Sequence, residues 1–65
     1  MDTNKMLRRL EYVRDKHKKQ HAIVEALEGE NAPEKTIIAA KKLKLSLKDE
    51  IAAIESTLAS EGIRL

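Results

Sequence analysis

The stretch Leu27-Glu28-Gly29-Glu30-Asn31-Ala32-Pro33-Glu34 decides how this chain folds. It holds a helix-stop signal and a helix-start signal side by side. Gly29 follows the last residue of an apolar stripe and suits the left-handed C′ position at which many helices end. Asn31 can then cap a new helix, and Glu34, three residues on, completes a capping box. Pro33 in the first turn of that helix forfeits no intrahelical hydrogen bond, and its ring sets φ in advance. A stop so close to a start predicts two helices folded back on each other as an antiparallel hairpin. The alternative is one continuous helix, bent at Gly29 and Pro33, within a long coiled coil.

Upstream of the break, Met6, Leu10, Val13, His17, Gln20, Val24 and Leu27 recur in alternating steps of four and three. That is the period of one helix face. Asp2 or Thr3 can cap its start. Downstream, Ile37, Ala40, Lys44, Leu47, Ile51, Ile54 and Leu58 form a matching series, with Leu43 on its edge. The predicted domain is a single all-α hairpin over 1–65, coiled-coil-like, suited to assembling into a helical bundle. Its first helix covers about 3–28, its turn 29–33, its second helix about 34–60, and a loose tail 61–65.

Folding about residues 30 and 31 opposes Leu10 to Ile51, Val24 to Ile37, His17 to Lys44, and Gln20 to Ala40 or Lys41. The expected seam is therefore apolar at both ends and polar in the middle. A second stripe, Ile38, Leu45 and Ala52 at heptad spacing, lies on the back of the second helix, where one hairpin partner cannot cover it. In a chain of 65 residues, too short to bury a large core, it is the expected intermolecular interface.

Composition narrows the function. Hydrophobic residues are 42% and charged residues 37% of the chain, a blend typical of helical bundles. No cysteine is present, which excludes disulfides and thiolate metal sites. No apolar run exceeds four residues, far short of the ~20 that span a bilayer, so no membrane role is expected. The beginning of the sequence, Met-Asp-Thr-Asn-Lys, lacks the apolar core of a signal peptide, and the chain reads as cytoplasmic.

His17 and His21 stand at i and i+4, a spacing able to hold zinc, but Lys18 occupies the place of the glutamate that a metalloprotease requires. Lys16, Lys18 and Lys19 also repel a cation, so neither metal nor another cofactor is expected. Asp49 and Glu50 are consecutive on a helix and splay apart, so they cannot converge on one substrate. No catalytic triad, phosphate loop or carboxylate pair can be assembled, and no enzymatic activity or small-molecule substrate is expected.

Thirteen Lys and Arg against eleven Asp and Glu give a net charge of +2. Six basic residues and two acids lie between Arg8 and Lys19, and five basic residues and no acid between Lys35 and Lys48. In a hairpin these runs form a mid-height belt. Its residues Arg14, Lys18, Lys19, Lys41, Lys42 and Lys48 are candidates for contact with an anion or nucleic acid. Acids at both ends and the lack of aromatic platforms beyond Tyr12 favour a solvated face instead.

The run Lys41-Lys42-Leu43-Lys44-Leu45-Ser46-Leu47-Lys48-Asp49-Glu50-Ile51 resembles the signature of the YdcH-like family of short bacterial proteins. His17, with Val24, Leu27 and Glu28 following at the family's spacing, agrees. The resemblance covers roughly residues 10–54 and implies a helical hairpin of unknown function. Gln20 and Ala40 both stand where the family favours Leu. Three functional expectations follow: a module that self-associates or docks on a larger assembly through its helix faces, a nucleic-acid adaptor using the belt, or a small part of a multiprotein particle.

Overall fold

The computed structural model describes residues 2–63. Two α-helices of 27 residues each, α1 (Thr3–Gly29) and α2 (Glu34–Ser60), pack antiparallel along one another. The molecule measures 44 × 15 × 14 Å. Its long dimension is close to the ~40 Å that 27 residues span at 1.5 Å each.

α1 begins where Asp2 supplies a cap. The Asn4 amide donates to Asp2 Oδ1 at 3.0 Å, satisfying one of the donors that a helix start leaves orphaned. The helix ends differently from the sequence expectation. Gly29 is its last helical residue, and the left-handed conformation falls on Asn31, at φ 54°. The Ala32 N–H donates to the Leu27 carbonyl at 3.0 Å and the Asn31 N–H to the Glu28 carbonyl at 3.3 Å. Those two bonds make a Schellman motif with Asn31 at C′. Asparagine adopts this conformation more readily than other residues with a Cβ, because its short polar side chain bonds locally. Placing the turn there lets the helix run to Gly29 and leaves Pro33, which cannot continue a helix, just beyond.

Asn31 is thereby lost as a cap for α2. Pro33 takes that position with an extended ψ of 141° and no side-chain cap bond, so the expected capping box does not form. Pro33 therefore precedes the first turn of α2, and its carbonyl accepts from the Thr36 and Ile37 amides at 3.0 and 3.1 Å.

α2 closes with a second Schellman motif. Gly62, at φ 79°, donates to the Ala59 carbonyl, and the Ile63 N–H donates to the Leu58 carbonyl, each at 3.0 Å. Ile63 is half-buried and Leu58 completely so, and these are the two positions at which apolar residues commonly accompany this motif. Residues 61–63 are thus tied down, where the sequence suggested a loose tail; Arg64 and Leu65 lie outside the described residues.

The seam is assembled from the expected stripes. Leu10, Val13, Val24 and Leu58 are buried, while Met6, His17, Leu27, Ile37, Leu47, Ile51 and Ile54 are half-buried. Leu43 is a correction: it is 51% exposed. At ~100° per residue, Leu43 sits roughly 60° past Ala40 and roughly 100° past Lys44 in the same direction, beyond the strip that one neighbouring helix covers. Two ion pairs clasp the seam from outside, Arg9 Nε to Glu50 and Arg14 Nη2 to Glu55, both at 2.7 Å. Partners five residues apart on each helix point about 140° apart, which sets the two clasps on opposite flanks.

Gly29 and Asn31 separate this turn from the one anticipated in the sequence. A Cβ at Gly29 meets nothing within 4 Å, so Gly29→Ala is expected to stabilise the hairpin by about 0.5–1 kcal/mol. Asn31→Ala is expected to destabilise it by about 1 kcal/mol. Thermal unfolding followed by circular dichroism checks both; a loss of stability in Gly29→Ala would place the left-handed residue at 29 instead.

Candidate interaction surface

Half-way along the hairpin the seam changes character. Gln20 is 8% exposed, and its side-chain amide donates to the Ala40 backbone carbonyl at 3.1 Å. Ala40, itself buried, is small enough to admit the glutamine head against the backbone of α2. These two residues face each other as the sequence register requires. The polar head and the small side chain are one arrangement: a larger residue at 40 would compete with the Gln20 head for the same space.

One turn toward the start of α1, His17 is half-buried, and its Nε2 is shut off from solvent without a hydrogen-bond partner among the described residues. A buried polar atom left unpaired costs about 1–3 kcal/mol. Lys44, opposite by register, is half-buried on α2, its aliphatic stem available to cover apolar surface. An open groove of about 370 Å³ runs beside this layer, lined by His17, Val24 and Glu28 from α1 and by Lys41, Lys44, Leu45 and Lys48 from α2.

The belt is divided by its own acids. Arg14 is held by Glu55 at 2.7 Å, Lys19 by Asp15 at 3.0 Å, and Lys41 approaches Glu28 at 3.8 Å. Lys18, Lys42, Lys44 and Lys48 have no carboxylate within 4.0 Å among the described residues. The structure therefore does not gather all six belt residues into one field. Lys41 and Lys48 share the groove, whereas Arg14 and Lys19 are bound into ion pairs. On the other flank, the Glu50 carboxylate, by its hydrogen bond and its charge, holds the Arg9 guanidinium above its usual pKa.

His21 Nε2 lies 2.9 Å from Glu25 one turn on, not beside His17. Among the described residues no three His, Asp or Glu side chains converge as a metal site would require. No helix of the described residues is long and apolar enough to cross a membrane.

The outer stripe of α2 is open to solvent, with Ile38 45% and Leu45 58% exposed and Ala52 exposed beside them. Leu45 also reaches the groove, so stripe and groove form one continuous surface. Two exposed groups escaped the sequence reading. Ile23, like the corrected Leu43, is exposed at a position just outside the seam stripes. Tyr12 is flanked by Arg9 and Lys16, each cation 5.4 Å from the ring centroid. Their spacing of three and four residues from Tyr12 was the available signal, since such neighbours share a helix face.

No family model, curated protein or solved structure matches the chain.

The polar layer lends itself to separate substitutions. His17→Leu removes the unpaired nitrogen and adds apolar burial, and is expected to raise stability by about 1 kcal/mol or more. Gln20→Ala loses a hydrogen bond and opens a cavity, and is expected to lower it by roughly 1–3 kcal/mol. Urea unfolding of both variants measures the difference; destabilisation by His17→Leu would mean that Nε2 is hydrogen-bonded in solution.

Proposed function

We propose that this hairpin is a non-enzymatic protein–protein interaction module, self-associating or docking on a larger assembly through the outer face of α2. The observation that carries the reading is the exposed Ile38–Leu45–Ala52 stripe on a protein whose buried core is a single narrow seam. The surface area argues the same way. The chain exposes 5038 Å², whereas a typical compact monomer of its mass exposes about 4200 Å². The excess is comparable to the ~800 Å² that each partner contributes to a standard interface.

The residues of α2 between Lys41 and Ile51, with His17 on α1, support reading the chain as YdcH-like, a resemblance that brings a hairpin and no activity. Coiled-coil packing between hairpins, assembly into a bundle and a cytoplasmic setting belong to the same proposal. A nucleic-acid adaptor is the lesser reading. Lys18, Lys42, Lys44 and Lys48 favour it, but Arg14, Lys19 and Lys41 already have carboxylate neighbours.

Leu45→Glu places a charge in the middle of the stripe and is expected to convert an oligomer to a less stable monomer. Ser46→Glu, at an exposed neighbouring position, is expected to leave the mass unchanged. Light scattering on wild type and both variants reads the outcome, and an identical mass in all three would remove the stripe as a homo-oligomer seam.

A further inference from the structure

The groove beside the polar layer carries more information than the stripe alone. Its apolar lining is Leu45, 58% exposed, with the buried Val24 beneath, and its α2 side presents Lys41, Lys44 and Lys48. Lys44 and Lys48 stand at i and i+4, where like charges on a helix repel one another. Neither has a carboxylate within 4.0 Å among the described residues. The sole acid in the lining, Glu28, lies at 3.8 Å from Lys41 and leaves the other two ammonium groups unbalanced. The α1 side contributes His17, whose Nε2 is buried beneath the lining without a hydrogen-bond partner among the described residues. Unbalanced positive charge and an exposed apolar side chain are thus concentrated in one place.

From this juxtaposition we propose that the groove seats an acidic amphipathic segment of a partner protein. The segment's apolar side chains lie on Leu45, and its carboxylates accept from Lys44 and Lys48. The inference rests on the reading of the Leu45 face as a docking surface and adds the chemistry of what docks there.

Charge complementarity selects this occupant over others. A second copy laid antiparallel on α2 brings the Lys41–Lys48 edge against its own like. A phosphate chain gains nothing from Val24 and Leu45, and Arg14 and Lys19, which would extend its track, are engaged by Glu55 and Asp15.

The test uses the full chain, isotope-labelled, titrated with three probes: a synthetic helical peptide with Leu and Glu on one face, its Leu/Gln counterpart, and a single-stranded oligonucleotide. The Leu/Glu peptide is expected to shift the Leu45 methyls, the His17 ring and the Lys44 and Lys48 side chains. The Leu/Gln peptide should bind roughly tenfold or more weakly, as should the Leu/Glu peptide to a folded Lys44→Glu/Lys48→Glu variant. Equal affinity for both peptides at the same methyls would overturn the acidic preference while leaving the docking surface standing. Tighter binding of the oligonucleotide, or shifts of the His17 ring and of the Lys44 and Lys48 side chains (beyond Leu45, which the stripe shares) that follow protein concentration without any probe, would hand the groove to nucleic acid or to a second copy. No response at Leu45 to either peptide, with a mass unaffected by Leu45→Glu, would bring down the docking surface and this inference together.

Discussion

The left-handed backbone at Asn31 is the constraint from which the remaining geometry follows. Its φ of 54° reverses the chain between α1 and α2, with two backbone bonds closing the end of α1 and Pro33 barring further helix. Because the turn is short, it leaves little freedom in the axial register of one helix against the other. Gln20 then meets the carbonyl of Ala40, and Arg14 meets Glu55, without either contact having to select the alignment on its own. A rod through the break would keep both amphipathic stripes and lose every one of these pairings.

Within that register the middle of the seam gives up stability for polarity. At the ends Leu10, Val13, Val24 and Leu58 exclude water. Between them stand a glutamine, a histidine with an orphaned nitrogen and a lysine. Gln20 compensates for its burial by a hydrogen bond, and a directional bond of that kind also disfavours slipped alignments of the two stripes. His17 has no such compensation, which makes it the least explained residue of the fold considered as structure alone. Its ring borders the lysine-lined groove, while the unpaired nitrogen itself is turned away from solvent.

Two helices share only one seam, and each has more apolar surface than the seam can cover. Ile38 and Leu45 remain exposed because they stand on the far side of α2, and Ile23 and Leu43 because they stand just past the seam's edges. Shape enters here as well. An extended rod of 44 × 15 × 14 Å has a high ratio of surface to volume, so adding a neighbour is its most direct route to further apolar burial. The lysines bordering Leu45 then decide which neighbours are electrostatically acceptable.

The sequence by itself determined the helices, their reversal and most of the seam. A stripe of period 3.6 is a local property, and positions such as Leu10, Val13 and Leu58 are buried by any partner that packs on it. It also disclosed that Gln20 faces Ala40 and that the Ile38–Leu45–Ala52 stripe lacks a cover. Other features had to wait for the packed structure. Whether Gly29 or Asn31 takes the left-handed turn depends on how far α1 extends before Leu27 and Ala32 can bond, since both residue types tolerate that backbone. Leu43 looked like an edge member of the seam, but its exposure depends on how much surface one cylinder can cover on another. The belt was visible as composition, yet only the paired helices decided that Glu55 and Glu28 reach Arg14 and Lys41 while Lys44 and Lys48 go without. Local period is written along the chain, whereas which charges meet depends on distances between residues far apart in it.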